Sequence, residues 1–245
     1  MIGTILNMIT VALGSGLGLF IGDRLPERMQ GSVVTGLGLV TLAVGISNAL
    51  KTGNIILPLL SVGSGVIIGE WLNLDARLQA FGGWLQRRFV PGADGDDPAG
   101  EDGRARFING FVTASLVFCV GPLTFIGSIQ DGMTGDYQLL AIKSVLDGFA
   151  SLAFASAMGV GVAFSIVTVL VVQGGLALLG ALGGSVMSEP MITEMTATGG
   201  LLLMGLALIL LDIKRPRMAN FLPALVIAPL LVALAGWLGI PIYPL

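Results

Sequence analysis

Lys143 and Asp147 are the residues of this chain best placed to do chemistry. They stand four apart in a stretch, residues 138–158, that is otherwise mostly apolar. At that spacing two side chains share one face of an α-helix, and Ser144 and Ser151 fall on the adjoining turns. A charge at the centre of a bilayer costs about 2.5 to 3.5 kcal/mol on insertion scales, so such residues turn toward protein or water and mark ion, proton or solute paths. A carboxylate beside an ammonium group can take a proton or a cation, can receive an anion through the lysine, or can form a purely internal ion pair. Spacing alone leaves all three open.

A second feature precedes this helix. Gly121-Pro122 interrupts the apolar run 107–127. Proline lacks an amide hydrogen and its ring clashes with the carbonyl four residues back, so the helix should break there and free the carbonyl of Phe118. Thr113, Ser115, Thr124 and Ser128 set hydroxyls along the same stretch. Irregular backbone at membrane depth is tolerated where it is buried in protein or lines a polar cavity. The expected site is therefore a polar cavity between the broken and the charged helix, lined by Asp147, Lys143, Ser151, Ser144, Gly121 and Pro122. Gln130-Asp131-Gly132 closes the broken helix, with Asp131 in a vestibule or a turn. Gln173, Asn7 and Asn48 either line a path or make helix–helix hydrogen bonds. Asp23 and Glu70, beside arginines at the membrane edge, read as solvated.

Other chemistry has few residues to support it. Histidine is absent and Cys119 is the only cysteine, which removes the commonest general base, the commonest metal ligand and any internal disulfide. There is no Walker A sequence and no G-x-S-x-G elbow. Lys143 and Ser144 are adjacent and point apart on a helix, which weakens a Ser-Lys dyad. The five carboxylates between residues 91 and 103 lack the spacing of a calcium loop. The expectation is no catalytic residue, no metal and no cofactor.

The elements that must position these residues are membrane helices. The chain is 54% hydrophobic and 11% charged, against about 25% charged in an average soluble domain, and its mean hydropathy is +0.92. A net charge of -3 gives no reason to expect a nucleic-acid partner. At about 20 apolar residues per crossing, eight spans are expected: 3–22, 31–50, 54–70, 107–127, 138–158, 160–181, 197–213 and 218–238. The fold class is thus all-α, one polytopic bundle over 1–245. Spans one to three occupy 1–72, spans four and five 107–158, and spans six to eight 160–240. The first span follows Met1 without a basic n-region or cleavage site and reads as a retained helix.

Residues 73–106 form the one long connection. Leu74, Leu78, Phe81, Leu85 and Phe89 recur at helical spacing, with Arg77, Arg87 and Arg88 off the stripe. This predicts an amphipathic helix on the inner membrane surface, followed by a disordered linker over 91–103. Ten of the twelve Lys and Arg residues fall on one side of the eight-span order. The positive-inside rule then puts 71–106 in the cytoplasm and both termini outside.

Two internal similarities stand out. Gly16, Gly18, Gly22 and Asp23 match Gly63, Gly65, Gly69 and Glu70 in the pattern G-x-G-x-x-x-G-[DE]-x-L. Gly18/Gly22 and Gly65/Gly69 are G-x-x-x-G pairs that permit close helix packing. Thr35-Gly36 and Lys51 also match Thr198-Gly199 and Lys214, and Asn54-Ile-Ile-Leu-Pro58 matches Asn220-Phe-Leu-Pro223. Spans one to three would then repeat as spans six to eight in inverted orientation, a recurring transporter architecture.

Residues 112–151 also carry a family likeness. Val112-Thr-Ala-Ser-Leu-Val-Phe-Cys-Val-Gly-Pro-Leu-Thr124, Gly127-Ser-Ile-Gln-Asp-Gly132 and Lys143-Ser-Val-Leu-Asp-Gly148 resemble the YqgA/YdfK-like prokaryotic membrane proteins, a domain-of-unknown-function family. Leu222-Pro-Ala-Leu-Val-Ile-Ala-Pro229 and Gly3-Thr-Ile-Leu-Asn7 fit as well. The chain departs from the family at Ala207-Leu-Ile209-Leu-Leu, where the resemblance leads one to expect Gly-Leu-Asn-Leu-Leu. The resemblance implies a multi-pass protein of the bacterial inner membrane and supplies no substrate. The leading expectation is a transporter or channel for a small solute or ion, in contact with the lipid bilayer and free to self-associate. The alternative is a membrane partner or regulatory subunit without a pore.

Overall fold

The computed structural model describes residues 1–22, 24–89, 98–183 and 187–242, and their regular structure is entirely helical. The helices are α1 (Ile2–Gly22), α2 (Glu27–Ala49), α3 (Ile56–Leu72), α4 (Leu74–Phe89), α5 (Pro98–Val120), α6 (Pro122–Thr134), α7 (Gln138–Met158), α8 (Ser165–Gly183), α9 (Glu189–Leu210) and α10 (Pro223–Trp237). Short 3-10 turns, Val160–Val162 and Met218–Phe221, precede α8 and α10. Among the described residues six helical stretches are long and apolar enough to cross a membrane, and eight if each of two bent pairs counts as one crossing. The bent pairs are α3–α4, at 52°, and α5–α6, at 63°.

Local chemistry sets the corners. Asn73 ends α3 in the left-handed conformation, φ 53°, with its N–H on the Glu70 carbonyl, a common helix stop. Pro122 opens α6 at the first helical position, where its missing amide hydrogen costs nothing. Gly159, φ +83°, makes the corner after α7, a conformation that glycine adopts without strain.

Two helix starts differ most from the sequence expectation. α5 begins at Pro98, so residues 98–103 of the expected disordered linker are the first turns of a helix. Proline suits the first helical position and Asp102 suits the positive helix end, and both favour that start. The remainder of that linker before Pro98 lies outside the described residues. α9 begins at Glu189, not Ala197, after Ser188 donates its N–H to Met191 Sδ at 3.4 Å. Its opening turns are polar, so a count of apolar residues finds it late.

The helices group into two compact units. The first holds residues 1–37, 76–119 and 123–182, and the second holds 38–75, 120–122 and 183 onward. In the first, α1 and α7 run parallel in close contact. Gly3 abuts Leu140, Gly14 abuts Gly148, Gly18 abuts Leu152 and Gly22 abuts Ser156. α5 and α8 also run side by side, with the Phe107 and Phe164 rings 5.2 Å apart and the Ser115 and Thr168 hydroxyls 2.9 Å apart. α6 crosses these helices, with Gly127 on Leu140 and Gly132 on Ala177. The stripe of α4 packs on α5 and the start of α8: Leu85 is buried with Phe107 and Phe111, the Phe81 ring is 5.9 Å from Phe111, and the Phe89 ring is 6.0 Å from Phe164.

In the second unit α3 runs antiparallel to the 3-10 turn and α10, with Gly65 on Ala224 and Gly69 on Asn220. The α2 residues Gly38 and Gly45 meet Leu211 and Met204 of the α9 segment, again antiparallel. Inverted copies would pack this way, but so does any antiparallel helix pair, and the inverted repeat therefore rests on the sequence matches alone.

Candidate polar site in the first unit

α7 supplies the charged pair. Lys143 Nζ bonds to Asp147 Oδ2, and the side chains are only 5% and 11% exposed. Asn7 of α1, fully buried, donates from Nδ2 to the same oxygen at 2.9 Å. Glycines at 14, 18 and 22 bring α1 against α7 closely enough for this contact. Cys119, buried at the end of α5, lies within electrostatic reach of both Lys143 and Asp147. The two serines turn inward on their own helix: Ser144 donates to the Leu140 carbonyl at 2.6 Å and Ser151 to that of Gly148 at 2.8 Å. Such back-bonding occupies the hydroxyl hydrogen.

α8 brings Gln173 to the same depth. The Ser115 hydroxyl of α5 lies 2.9 Å from that of Thr168 of α8, and from that level Cys119 is four residues along α5 and Gln173 five along α8. At 1.5 Å per residue both rise about 6 to 8 Å. Val169, Gln173 and Ala177 recur every fourth residue and are all fully buried, so they face the interior of the unit. Neither amide atom of Gln173 has a partner among the described residues, nor do Asn7 Oδ1, Thr4 Oγ1 and Ser128 Oγ. A buried polar atom left unpaired costs about 1 to 3 kcal/mol. One layer of the unit thus gathers Asn7, Cys119, Lys143, Asp147 and Gln173 from four helices.

The ends of the parallel pair are also polar. Parallel helices add their dipoles, concentrating positive potential at one end and negative at the other. Asp131 of α6, 2% exposed, accepts the Gly3 N–H and the Met1 amino group, each at 3.0 Å. It is built into the start of α1. At the opposite end Arg106 Nη2 donates to the Ala157 carbonyl at 3.2 Å and to Gln30 Oε1 at 3.1 Å. Gln30 in turn donates to the Gly22 carbonyl at 3.1 Å. A cleft of about 240 Å³ opens beside Arg106, lined by Leu19, Gly22, Phe107, Ser156 and Gly159.

None of Lys143, Asp147, Ser144, Ser151 or Gln173 lines this cleft. The carbonyl of Phe118 is freed at the helix break as proline chemistry requires, yet it accepts the Thr124 hydroxyl at 2.9 Å instead of awaiting a ligand. Gly121 and Pro122 belong to the second unit. There the Val120 carbonyl lies 2.9 Å from where a Cβ on Gly199 would stand.

Glu194 escaped the sequence reading. It is fully buried in α9, accepting the Thr52 hydroxyl at 2.7 Å and the Gly53 N–H at 2.9 Å. Because it precedes the apolar run it reads as an external acid, although Ser188, Glu189 and Pro190 together mark a helix start before it. Asn220 is similar: its Oδ1 accepts the Asp75 N–H at 2.7 Å and ties down the α3–α4 corner. Glu70 pairs with Arg217 at 3.1 Å, and both are substantially exposed. Asp23 lies outside the described residues.

Comparison with known proteins places this arrangement in a family. The chain is 33% identical over 237 residues to the uncharacterized protein YqgA of Escherichia coli strain K12, covering 96% of this chain and 98% of that one. It is 28% identical over 236 residues to the uncharacterized membrane protein YdfK of Bacillus subtilis strain 168, covering 95% and 96%. No solved structure matches. The apolar helices and the membrane relative agree that this is a membrane protein. Residues 2–233 match the model described as protein of unknown function (DUF554), and the chain belongs to that family.

Proposed function

We propose that this protein is a transporter or channel that moves a small solute or ion across the bacterial inner membrane through the polar layer of its first unit. One observation carries the reading: a charged pair and an asparagine lie buried in apolar helices, together with amide and hydroxyl atoms that have no partner among the described residues. Structural polar networks are normally saturated by their own members. Here the unmatched atoms call for water or a ligand.

The test is flux in liposomes holding the purified protein alone. Removing one member of a buried ion pair destabilises by about 3 to 5 kcal/mol, whereas replacing both with apolar residues is often neutral. The informative variant is therefore Lys143→Met with Asp147→Leu. It should fold, insert and lose flux. Wild-type flux in a folded double variant would remove the pair from the pathway.

A second reading, a membrane partner or regulatory subunit without a pore, draws support from the closed ion pair and from a cleft that lies elsewhere. The same assay separates the two, because a partner without a pore carries nothing on its own. Neither reading involves catalysis.

A further inference from the structure

Transport through the first unit, on which this inference rests, leaves the class of solute open. We infer that the polar layer passes uncharged hydrogen-bonding molecules, water or a small urea- or polyol-like solute, and turns ions away. Charge comes first. Lys143 and Asp147 cancel, and Asn7 adds a neutral donor to the same carboxylate oxygen. Asp131, toward the start of α1, already holds the Gly3 N–H and the Met1 amino group. The layer offers an entering molecule no net charge.

The atoms without partners point the same way. Asn7 Oδ1 is an acceptor, Gln173 offers one carbonyl and one amide group, and the Thr4 hydroxyl can donate or accept. Thr4 stands one turn from Asn7 on the buried face of α1. All are neutral groups, and their mixture of donors and acceptors matches water, amides and hydroxyls. An ion would gain little from them without displacing Lys143 or Asp147 from its partner. That displacement leaves a buried charge unpaired, the most expensive outcome at such a pair. A neutral molecule saturates the free atoms and leaves the pair intact.

The experiment uses the full-length chain in proteoliposomes with stopped-flow light scattering. A sucrose shock reads water efflux, and inward gradients of urea and of glycerol read solute entry. Dye-reported potassium, chloride and proton fluxes are measured on the same vesicles. Water, or water with urea or glycerol, should move severalfold faster than in protein-free vesicles, with ion fluxes at the protein-free level. Shrinkage without solute entry identifies a water path, and solute entry identifies the wider one. Thr4→Val is isosteric and should lower the neutral flux, and Gln173→Leu should bring it to the protein-free level. Ion flux without neutral flux would overturn the inference while leaving transport standing. No flux of any kind would overturn both. Unchanged neutral flux in both folded variants would remove this layer from the path.

Discussion

At the residue scale the Lys143–Asp147 pair makes a thermodynamic claim independent of transport. Both side chains are nearly removed from solvent, so each neutralises a charge that would otherwise stand alone. Asp147→Leu by itself should lower stability by about 3 to 5 kcal/mol, and adding Lys143→Met should restore most of it. Unfolding of the detergent-solubilised variants measures this coupling, and additive losses would mean that the pair is hydrated instead of buried. The pair was legible in the sequence because an i, i+4 spacing fixes a shared face. Its third member was not, since nothing local says that Asn7 meets a residue 140 positions away. Phe118 shows the same division. Proline chemistry names the freed carbonyl, but the hydroxyl that takes it, Thr124, follows from how the helix bends.

At the element scale the parallel α1–α7 seam organises the first unit, and its glycines test it. Gly16, Gly18 and Gly22 look equivalent in sequence, but the seam distinguishes them. A Cβ at Gly22 would come within 2.8 Å of the Ser156 Cα, whereas one at Gly16 would meet nothing within 4 Å. Gly22→Val should cost about 1 to 3 kcal/mol through overpacking against backbone, and Gly16→Val should stay within about 0.5 kcal/mol of wild type. Thermal unfolding of the two variants in one detergent checks this, and equal losses would place α1 in a different packing. The glycine motif announces a close contact but does not name the partner. Helix starts were the least legible elements. Apolar counting misses polar opening turns, which is why α5 and α9 begin nine and eight residues before the expected spans.

At the scale of the whole molecule the number of crossings ties these observations together. α1 and α7 are parallel, so an odd number of crossings must separate them. α2, the bent pair α3–α4 and the bent pair α5–α6 supply three. α6 alone has 13 residues, about 20 Å of helix, too short for a hydrocarbon core of about 30 Å. We therefore expect eight crossings, the upper count that the helices allow, which would put both ends of the chain on one side of the membrane. Which side is a matter of charge, and we expect the arginine-bearing segments, Arg24 to Arg28 and Arg77 to Arg106, to stay in the cytoplasm. Ala105 and Ser188, both exposed, sit on opposite sides in that arrangement. With the buried Cys119 replaced by alanine, Ala105→Cys should react with an impermeant maleimide only after the cell is opened, and Ser188→Cys should react in intact spheroplasts. The opposite pattern would invert the protein in the membrane without changing its fold. Labelling of both sites from outside would break the count of crossings, and with it the assignment of α5–α6 as a single bent span.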